Sequence, residues 1–231
     1  MIQARINGIV INAAAEHYPG FWQRAADGAW EPSTYAAIDR HVTADTVFLD
    51  IGSHIGAIAL YAAHRASRVI SVEADPRSLA MLEANVAANP LVADRITIVA
   101  KAIHPTRERV MLGSRTEGGD SMSGVVLKPF KTTWDVESVT PEDLADMLPR
   151  DRPVFVKMDI ERGEYLVVPK AGALWSHPNL VLLLSLHPQL FEGTLAWLHI
   201  ALGSHRIFKA LRAYTASRVD ERVFLFIRKS S

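Results

Sequence analysis

"TVFLDIGSHIGAIALYAA", residues 46–63, carries an apolar run into Asp50-Ile51-Gly52 and then through Ser53-His54-Ile55-Gly56 into a second apolar stretch. A short run bounded by glycine reads as a buried strand, and the alanine-rich stretch after it reads as a helix. Two glycines four residues apart at that junction mark a tight strand-to-helix turn. Gly52 permits a backbone angle that other residues avoid, and Gly56 allows close approach to the helix. Such turns seat nucleotides in open α/β sheets. The pattern is D-x-G-x-x-x-G rather than G-x-G-x-x-G, so the dedicated pyrophosphate seat of the dinucleotide fold is missing. The plain alternative is a packing turn with no ligand.

Similar runs recur along the chain: "RVISVE" (68–73), "RITIVA" (95–100), "VFVKMDI" (154–160) and "LVLLLSLH" (180–187). Helical patterns separate most of them, which is the signature of an α/β fold built on a parallel sheet. Asp75-Pro76 opens a helix whose Leu79, Leu82 and Val86 share a face, and Asn89-Pro90 stops it. Asn7-Gly8 predicts a small N-terminal hairpin. Residues 107–135 break the rhythm: "RVML" and "GVVLK" flank a glycine-rich connection and predict an inserted antiparallel hairpin. Thr140 to Asp143 has capping-box spacing. "QLFEGTLAWLHIAL" (189–202) reads as a helix, and "RIFKALRAY" (206–214) and "ERVFLFIRK" (221–229) as two closing strands. One domain is expected over residues 1–231, with a cap over 1–42.

Composition excludes several classes. Lysine plus arginine and aspartate plus glutamate are 25 each, so no basic excess points to a nucleic-acid backbone. There is no cysteine, which removes disulfides, thiolate metal sites and a cysteine nucleophile. The N-terminal residues lack the pattern of a signal peptide, and no apolar run approaches the ~20 residues of a membrane helix. The expectation is a soluble, cytoplasmic protein, monomer or homodimer, with a small-molecule partner, no nucleic acid and no membrane.

Glu73 sharpens the ligand. It ends the second run, 17 residues after Gly56, where dinucleotide folds place an acid on a ribose. A carboxylate only accepts hydrogen bonds, which suits a 2′,3′-diol with two donors. A ribonucleoside without a pyrophosphate follows, and S-adenosylmethionine fits that description.

The chain resembles the FkbM family of S-adenosylmethionine-dependent methyltransferases over residues 18–190. "FLDIGSHIGAIAL", "VISVEADP", "PVFVKMDIERGEY" and "LVLLLSLHP" are similar to the family forms D-I-G-A-N-I-G, E-P-D-P, K-I-D-V-E-G-A-E and E-I-H-P, and "GAWEPSTYAAI" (28–38) resembles a segment that precedes them. His54 stands where asparagine is usual, Arg162-Gly163 where Gly-Ala is usual, and Ser185 in place of an acid. The resemblance implies a Rossmann-like class I methyltransferase fold: a seven-stranded, mostly parallel sheet with a C-terminal antiparallel hairpin and helices on both faces. It implies cofactor contacts from Glu31, Asp50, Gly52, Ser53, His54, Gly56, Glu73, Ala74 and Ala102, with Glu31 meeting the methionyl ammonium. It also implies O-methylation of a sugar or secondary metabolite.

Asp50, Glu73, Asp159 and His187 all end strands, where open sheets bind ligands. Asp159, Glu161 and Glu164 are close enough to repel, which raises the pKa of at least one toward use as a base. Asp159, Glu161 and His187 are the catalytic candidates. His187 suits a base near neutral pH, with an ordinary core histidine as the alternative. A divalent cation on these acids is the less favoured option, and no resident metal is expected. Glu164 reads as a helix-start acid favoured by the dipole, and Lys157 as a structural partner for Asp159. Trp22, Trp30 and Tyr35 read as a lid or as packing, Trp22 as packing. Two rival functions remain: a nucleotide-binding protein without methyl transfer, and a nicotinamide-dependent oxidoreductase.

Overall fold

The computed structural model describes residues 1–14, 19–114, 124–125, 131–191 and 193–229. The chain begins with a hairpin of β1 (Ile2–Ile6) and β2 (Ile9–Ala13), followed by α1 (Pro19–Ala26) and α2 (Pro32–His41). Asn7 and Gly8 both take positive φ, 44° and 85°, as the hairpin turn requires. Next come β3 (Val47–Ile51), α3 (Ala57–Ala63), β4 (Arg68–Val72), α4 (Pro76–Ala87) and β5 (Ile96–Val99). An accessory region contains β6 (Ala102–Ile103), β7 (Arg109–Ser114), β8 (Gly124–Val125) and β9 (Thr132–Val139). The chain continues through α5 (Pro141–Asp146), β10 (Val154–Met158), α6 (Glu164–Val167), α7 (Gly172–Trp175), β11 (Leu180–Ser185), α8 (Ala196–Ala210), β12 (Tyr214–Arg218) and β13 (Val223–Arg228).

The main sheet has seven strands in the order β12-β13-β11-β10-β3-β4-β5. Strands β11, β10, β3, β4 and β5 run parallel, and β13 is antiparallel to both its neighbours, β11 and β12. Every residue of β3 and β10 is buried, because helices cover both faces of these central strands. Side chains alternate between two cores. Phe48 and Phe155, paired in register, stack 5.3 Å apart in the core shared with α1, α2, α3 and the N-terminal hairpin. Leu49, Val156 and Leu182 face the other core with α5 and α7. Helix α3 is buried on all sides, as its unbroken apolar sequence requires.

Several local readings meet their physical expectation. Asp75 caps α4 by accepting from the backbone N–H groups of Arg77 and Ser78. Thr140 and Asp143 form a reciprocal capping box on α5. The buried face of α4 is Ser78, Leu82 and Asn85, with Leu79 and Val86 at its half-buried margins. Asn85 and Asn89 latch the N-terminal hairpin: Asn12 N–H donates to Asn89 Oδ1 (2.9 Å), and Ala14 N–H donates to Asn85 Oδ1 (2.8 Å).

Two expectations need correction. Residues 206–214 are not a strand: α8 runs to Ala210, and the strand starts at Tyr214. Ile207 and Leu211, four apart and both buried, hold that segment helical against the second core. The inserted hairpin is also incomplete as read. Strand β7 pairs with β8 over two residues, but its long partner is β9, which the sequence reading left unassigned. "TTWDVESV" alternates at period two, yet its inward residues Thr132, Trp134, Val136 and Ser138 are only half-buried, and the buried Val139 ends the alternation. A pair of exposed charges, Arg109 and Asp135 at 2.7 Å, helps to tie it to β7. Most of the "TEGGDSMSG" loop, considered as a lid, lies outside the described residues. Among the described residues no helix is long and apolar enough to cross a membrane.

Candidate active site

The turn that decides the fold also builds the floor of the site. Gly52 has φ 83°, and a Cβ there would sit 1.9 Å from the backbone oxygen of Asp159. No other residue fits between β3 and β10 at this point. Gly52 and Ser53 N–H groups both donate to Val72 O, at 3.0 and 3.1 Å, and Ser53 Oγ donates to Asp50 O (2.9 Å). His54 takes φ 50°, a left-handed conformation that asparagine adopts more readily than most residues. Gly56 has φ 84° and caps α3, but the space a Cβ would need is taken by Leu82 of α4, 2.4 Å away. Its glycine therefore serves helix packing.

Glu73 sits at the end of β4 with its carboxylate turned onto backbone. Oε2 accepts from His54 N–H at 2.7 Å; Oε1 accepts from Ala74 N–H at 2.8 Å and Asp75 N–H at 2.7 Å. One acid thus clamps the glycine turn to the start of α4. Burial pushes its pKa up to about 7, although those three hydrogen bonds work in the other direction. A cavity with about 620 Å³ of open space lies beside it, with Glu73, Ala74, Ala102, Ile103 and Leu112 in its walls. A second cavity is lined by Phe21, Trp30, Glu31, Ser53, Lys157 and His187. The two meet at Gly52, His54, Asp159 and Glu161.

Under the turn lies Lys157, paired in register with Asp50 and only 5% exposed. Its ammonium donates to Gly52 O at 3.3 Å and lies 3.7 Å from Asp159 Oδ2 and 3.9 Å from Asp50 Oδ1. Burial works to lower its pKa, but Asp159, Glu31, Asp50 and Glu73 together hold it above the ordinary lysine value. Asp50 is fully buried, lines neither cavity, and has no hydrogen-bond donor on either oxygen. Burial raises its pKa to about 7 despite Lys157. The structural pairing expected of Lys157 is what its contacts describe.

After β10 the chain bends through two consecutive non-glycine residues at positive φ, Glu161 at 49° and Arg162 at 78°. Such angles cost of order 1–3 kcal/mol each and persist where the surroundings enforce them. Here the Arg162 guanidinium lies 4.4 Å over the Phe191 ring, and Glu161 faces His187. His187, just beyond β11, joins three acids. Its Nδ1 is 2.8 Å from Glu164 Oε1, and its Nε2 is 3.3 Å from Asp159 Oδ1 and 3.6 Å from Glu161 Oε1. Burial lowers the imidazole pKa, but the Glu164 hydrogen bond and the three carboxylates outweigh it and bring the value to about 9. Burial raises Glu161 to about 7.

Glu164 opens α6 as the sequence reading expected, and its carboxylate also makes contacts that reading did not include. It is fully buried, and Oε1 accepts from Ile160 N–H (3.0 Å) as well as facing His187. An acid 23 residues from the histidine it orients leaves no local signal of that pairing. Glu31 precedes α2 at φ 47° without capping it; its Oε2 is buried with no partner, and burial raises its pKa. Trp30, 4.5 Å from Phe21, walls the second cavity, whereas Trp22 and Tyr35 are buried in the core.

This sheet order, with the site at the carboxyl ends of β3, β4, β10 and β11, defines a Rossmann-like class I methyltransferase fold. Similar solved structures include the FkbM methyltransferase from Methylobacillus flagellatus KT (TM-score 0.51, 16% identity, 88% of this chain and 60% of that one). Another is the O-methyltransferase TomG from Streptomyces achromogenes, involved in tomaymycin synthesis and solved with S-adenosylmethionine (TM-score 0.50, 13% identity, 89% and 81%). The Methyltransferase FkbM domain matches residues 50–214, and the chain belongs to that family. It spans 60% of the length of the Methylobacillus protein. No curated protein matches it.

Proposed function

We propose that the protein transfers a methyl group from S-adenosylmethionine to a hydroxyl oxygen of a small molecule, a sugar or secondary metabolite. The observation that carries this reading is the meeting of two cavities at Gly52, His54, Asp159 and Glu161, one suited to a nucleoside and the other to a nucleophile and its proton. The residues fit the donor. With three backbone N–H groups on its carboxylate, Glu73 keeps one acceptor site, on Oε2, for a ribose hydroxyl, and Ala74 and Ala102 offer apolar walls to a base. The buried, unpartnered Oε2 of Glu31 offers an acceptor to an ammonium group. Ser53 and His54 line the edge between donor and acceptor. When bound, S-adenosylmethionine supplies an already electrophilic methyl group.

The chain's own work is then alignment and proton removal. Orientation in a closed site can contribute about 7–11 kcal/mol, and a positioned base about 10²–10⁴-fold. Asp159, which borders both cavities, accepts the acceptor's hydroxyl proton in this reading. His187 holds that carboxylate in place and is itself flanked by Glu161, and Lys157 balances the charge from beneath. Phe21 and Trp30 give the second cavity an aromatic wall.

Isothermal titration with S-adenosylhomocysteine tests the donor site, and transfer of labelled methyl from S-adenosylmethionine into hydroxylated metabolites of a lysate tests the acceptor class. Label found only in amines or in RNA overturns the hydroxyl assignment, and absence of nucleoside binding overturns the whole reading.

A further inference from the structure

Asp159, Glu161 and His187 each offer one ligand atom, and these atoms lie within 4.8 Å of one another. The separations about His187 Nε2, 3.3 and 3.6 Å, are slightly longer than the roughly 3.0 Å between adjacent ligands of a six-coordinate ion with bonds of about 2.1 Å. A small inward movement of two side chains closes the set. The imidazole is already fixed in the required orientation. Glu164, buried and carrying Ile160 N–H on the same oxygen, lies 2.8 Å from Nδ1 and so aims Nε2 at the two carboxylates, where a bound cation would take the place of the Nε2 proton. A carboxylate behind one ring nitrogen is the usual support of a metal-binding histidine.

Independent of the cluster's shape, Glu161 Oε2 and Glu164 Oε2 are buried atoms with no hydrogen-bond partner, and Glu164 is fully buried. Lys157 is shared among Gly52 O, Asp50 and Asp159, so among the described residues only the imidazole pairs with Glu161 and Glu164. That is a site short of positive charge. Its open side is the second cavity, which leaves coordination positions for an oxygen of the acceptor.

We propose that Asp159, Glu161 and His187 bind a divalent first-row transition cation, with Glu164 as the positioning residue behind His187. One nitrogen and two carboxylate oxygens suit Mn²⁺ or its neighbours better than Mg²⁺ or Ca²⁺, which prefer oxygen alone. The site stands on its own geometry. Its consequence rests on the methyltransferase reading: the cation would polarise a bound hydroxyl and lower its pKa, making Asp159 a ligand more than a free base.

The test is calorimetric titration of the EDTA-stripped full chain with MnCl₂, with Co²⁺ absorption as a coordination signature. The expected result is about one ion per chain. His187→Ala should weaken binding at least about 100-fold and Glu164→Gln about 10–100-fold, with exposed Glu83→Gln unchanged. If His187→Ala does not fold, the Mn²⁺-dependent rise in Tm of the wild type and its loss in Glu161→Gln decide the matter. No saturable Mn²⁺ binding, or equal binding by His187→Ala, overturns the proposal. Titration with S-adenosylhomocysteine on the same preparation separates the two readings. A protein that binds the nucleoside but no Mn²⁺ loses only the cation site; one that binds Mn²⁺ but no nucleoside loses only the methyltransferase assignment.

Discussion

Glu73 has two jobs in this description, and they can be separated. Its carboxylate takes three backbone N–H groups, from His54, Ala74 and Asp75, at 2.7–2.8 Å. In the proposed function it also accepts from the cofactor ribose. Hydrogen bonds to a charged group are worth roughly 1.5–3 kcal/mol each. In Glu73→Ala, water can reach part of the vacated space, so the loss of three such bonds should lower folding stability by about 2–4 kcal/mol. Losing the ribose contact should weaken nucleoside binding by a further 1.5–3 kcal/mol, about 10–150-fold. A loosened turn could mimic that loss. The assay is therefore a cycle: S-adenosylhomocysteine and its analogue lacking both ribose hydroxyls, each titrated into wild type and Glu73→Ala. If Glu73 holds the diol, removing the hydroxyls costs the wild type about 10–150-fold and the variant almost nothing, a coupling of at least about 1.5 kcal/mol. Equal losses for both ligands, with coupling within about 0.3–0.5 kcal/mol, would refute the ribose role and leave Glu73 as a structural clamp.

The same carboxylate sets a pH dependence. Its pKa is raised in the folded state from 4.5 to about 7, so its contribution to stability is fully present below pH 4.5 and is lost as pH rises to about 7. The diol instead needs the ionised form, so nucleoside affinity should fall about tenfold between pH 8 and pH 6 in wild type and not in Glu73→Ala; a flat wild-type profile contradicts this. Gly52→Ala should cost at least about 3 kcal/mol in chemical denaturation, from its clash with Asp159 O and its φ of 83°, whereas Gly28→Ala, at φ 70° in open space, should cost only about 1–2 kcal/mol. Comparable losses at both positions would show that the close approach of β3 to β10 is not tight. Asp159→Asn should cut kcat by about 10²–10⁴-fold while changing cofactor affinity by no more than a few-fold; if His187→Asn abolishes turnover and Asp159→Asn does not, the proton goes to the histidine.

Much of this protein is legible in local chemistry. The Asn7-Gly8 turn, the Asp75 cap and the Thr140 capping box depend on residues within three positions of one another, so the sequence contains the whole interaction. The central parallel strands β3 and β10 were readable because a strand covered on both faces must be apolar along its length. Strand β9 and the end of α8 failed for the opposite reason. The polar alternation of "TTWDVESV" becomes a strand only because β7 lies beside it, and "RIFKALRAY" is helical because Ile207 and Leu211 meet the second core.

The sequence by itself determined the parallel sheet, the family, the glycine turn and the strand-end acids, since each rests on near neighbours or on period. Only the tertiary structure decided what those acids do. Glu73 spends its carboxylate on three amides, Asp50 is sealed against Lys157, and Gly56 makes room for Leu82. Glu164 is the clearest case: its partner His187 lies 23 residues away, just beyond the next strand. Whether a buried carboxylate is a cap, a counter-ion or a ligand depends on which donors the fold brings within about 3 Å of it, and that distance is set by strand register and helix packing, which no local pattern records.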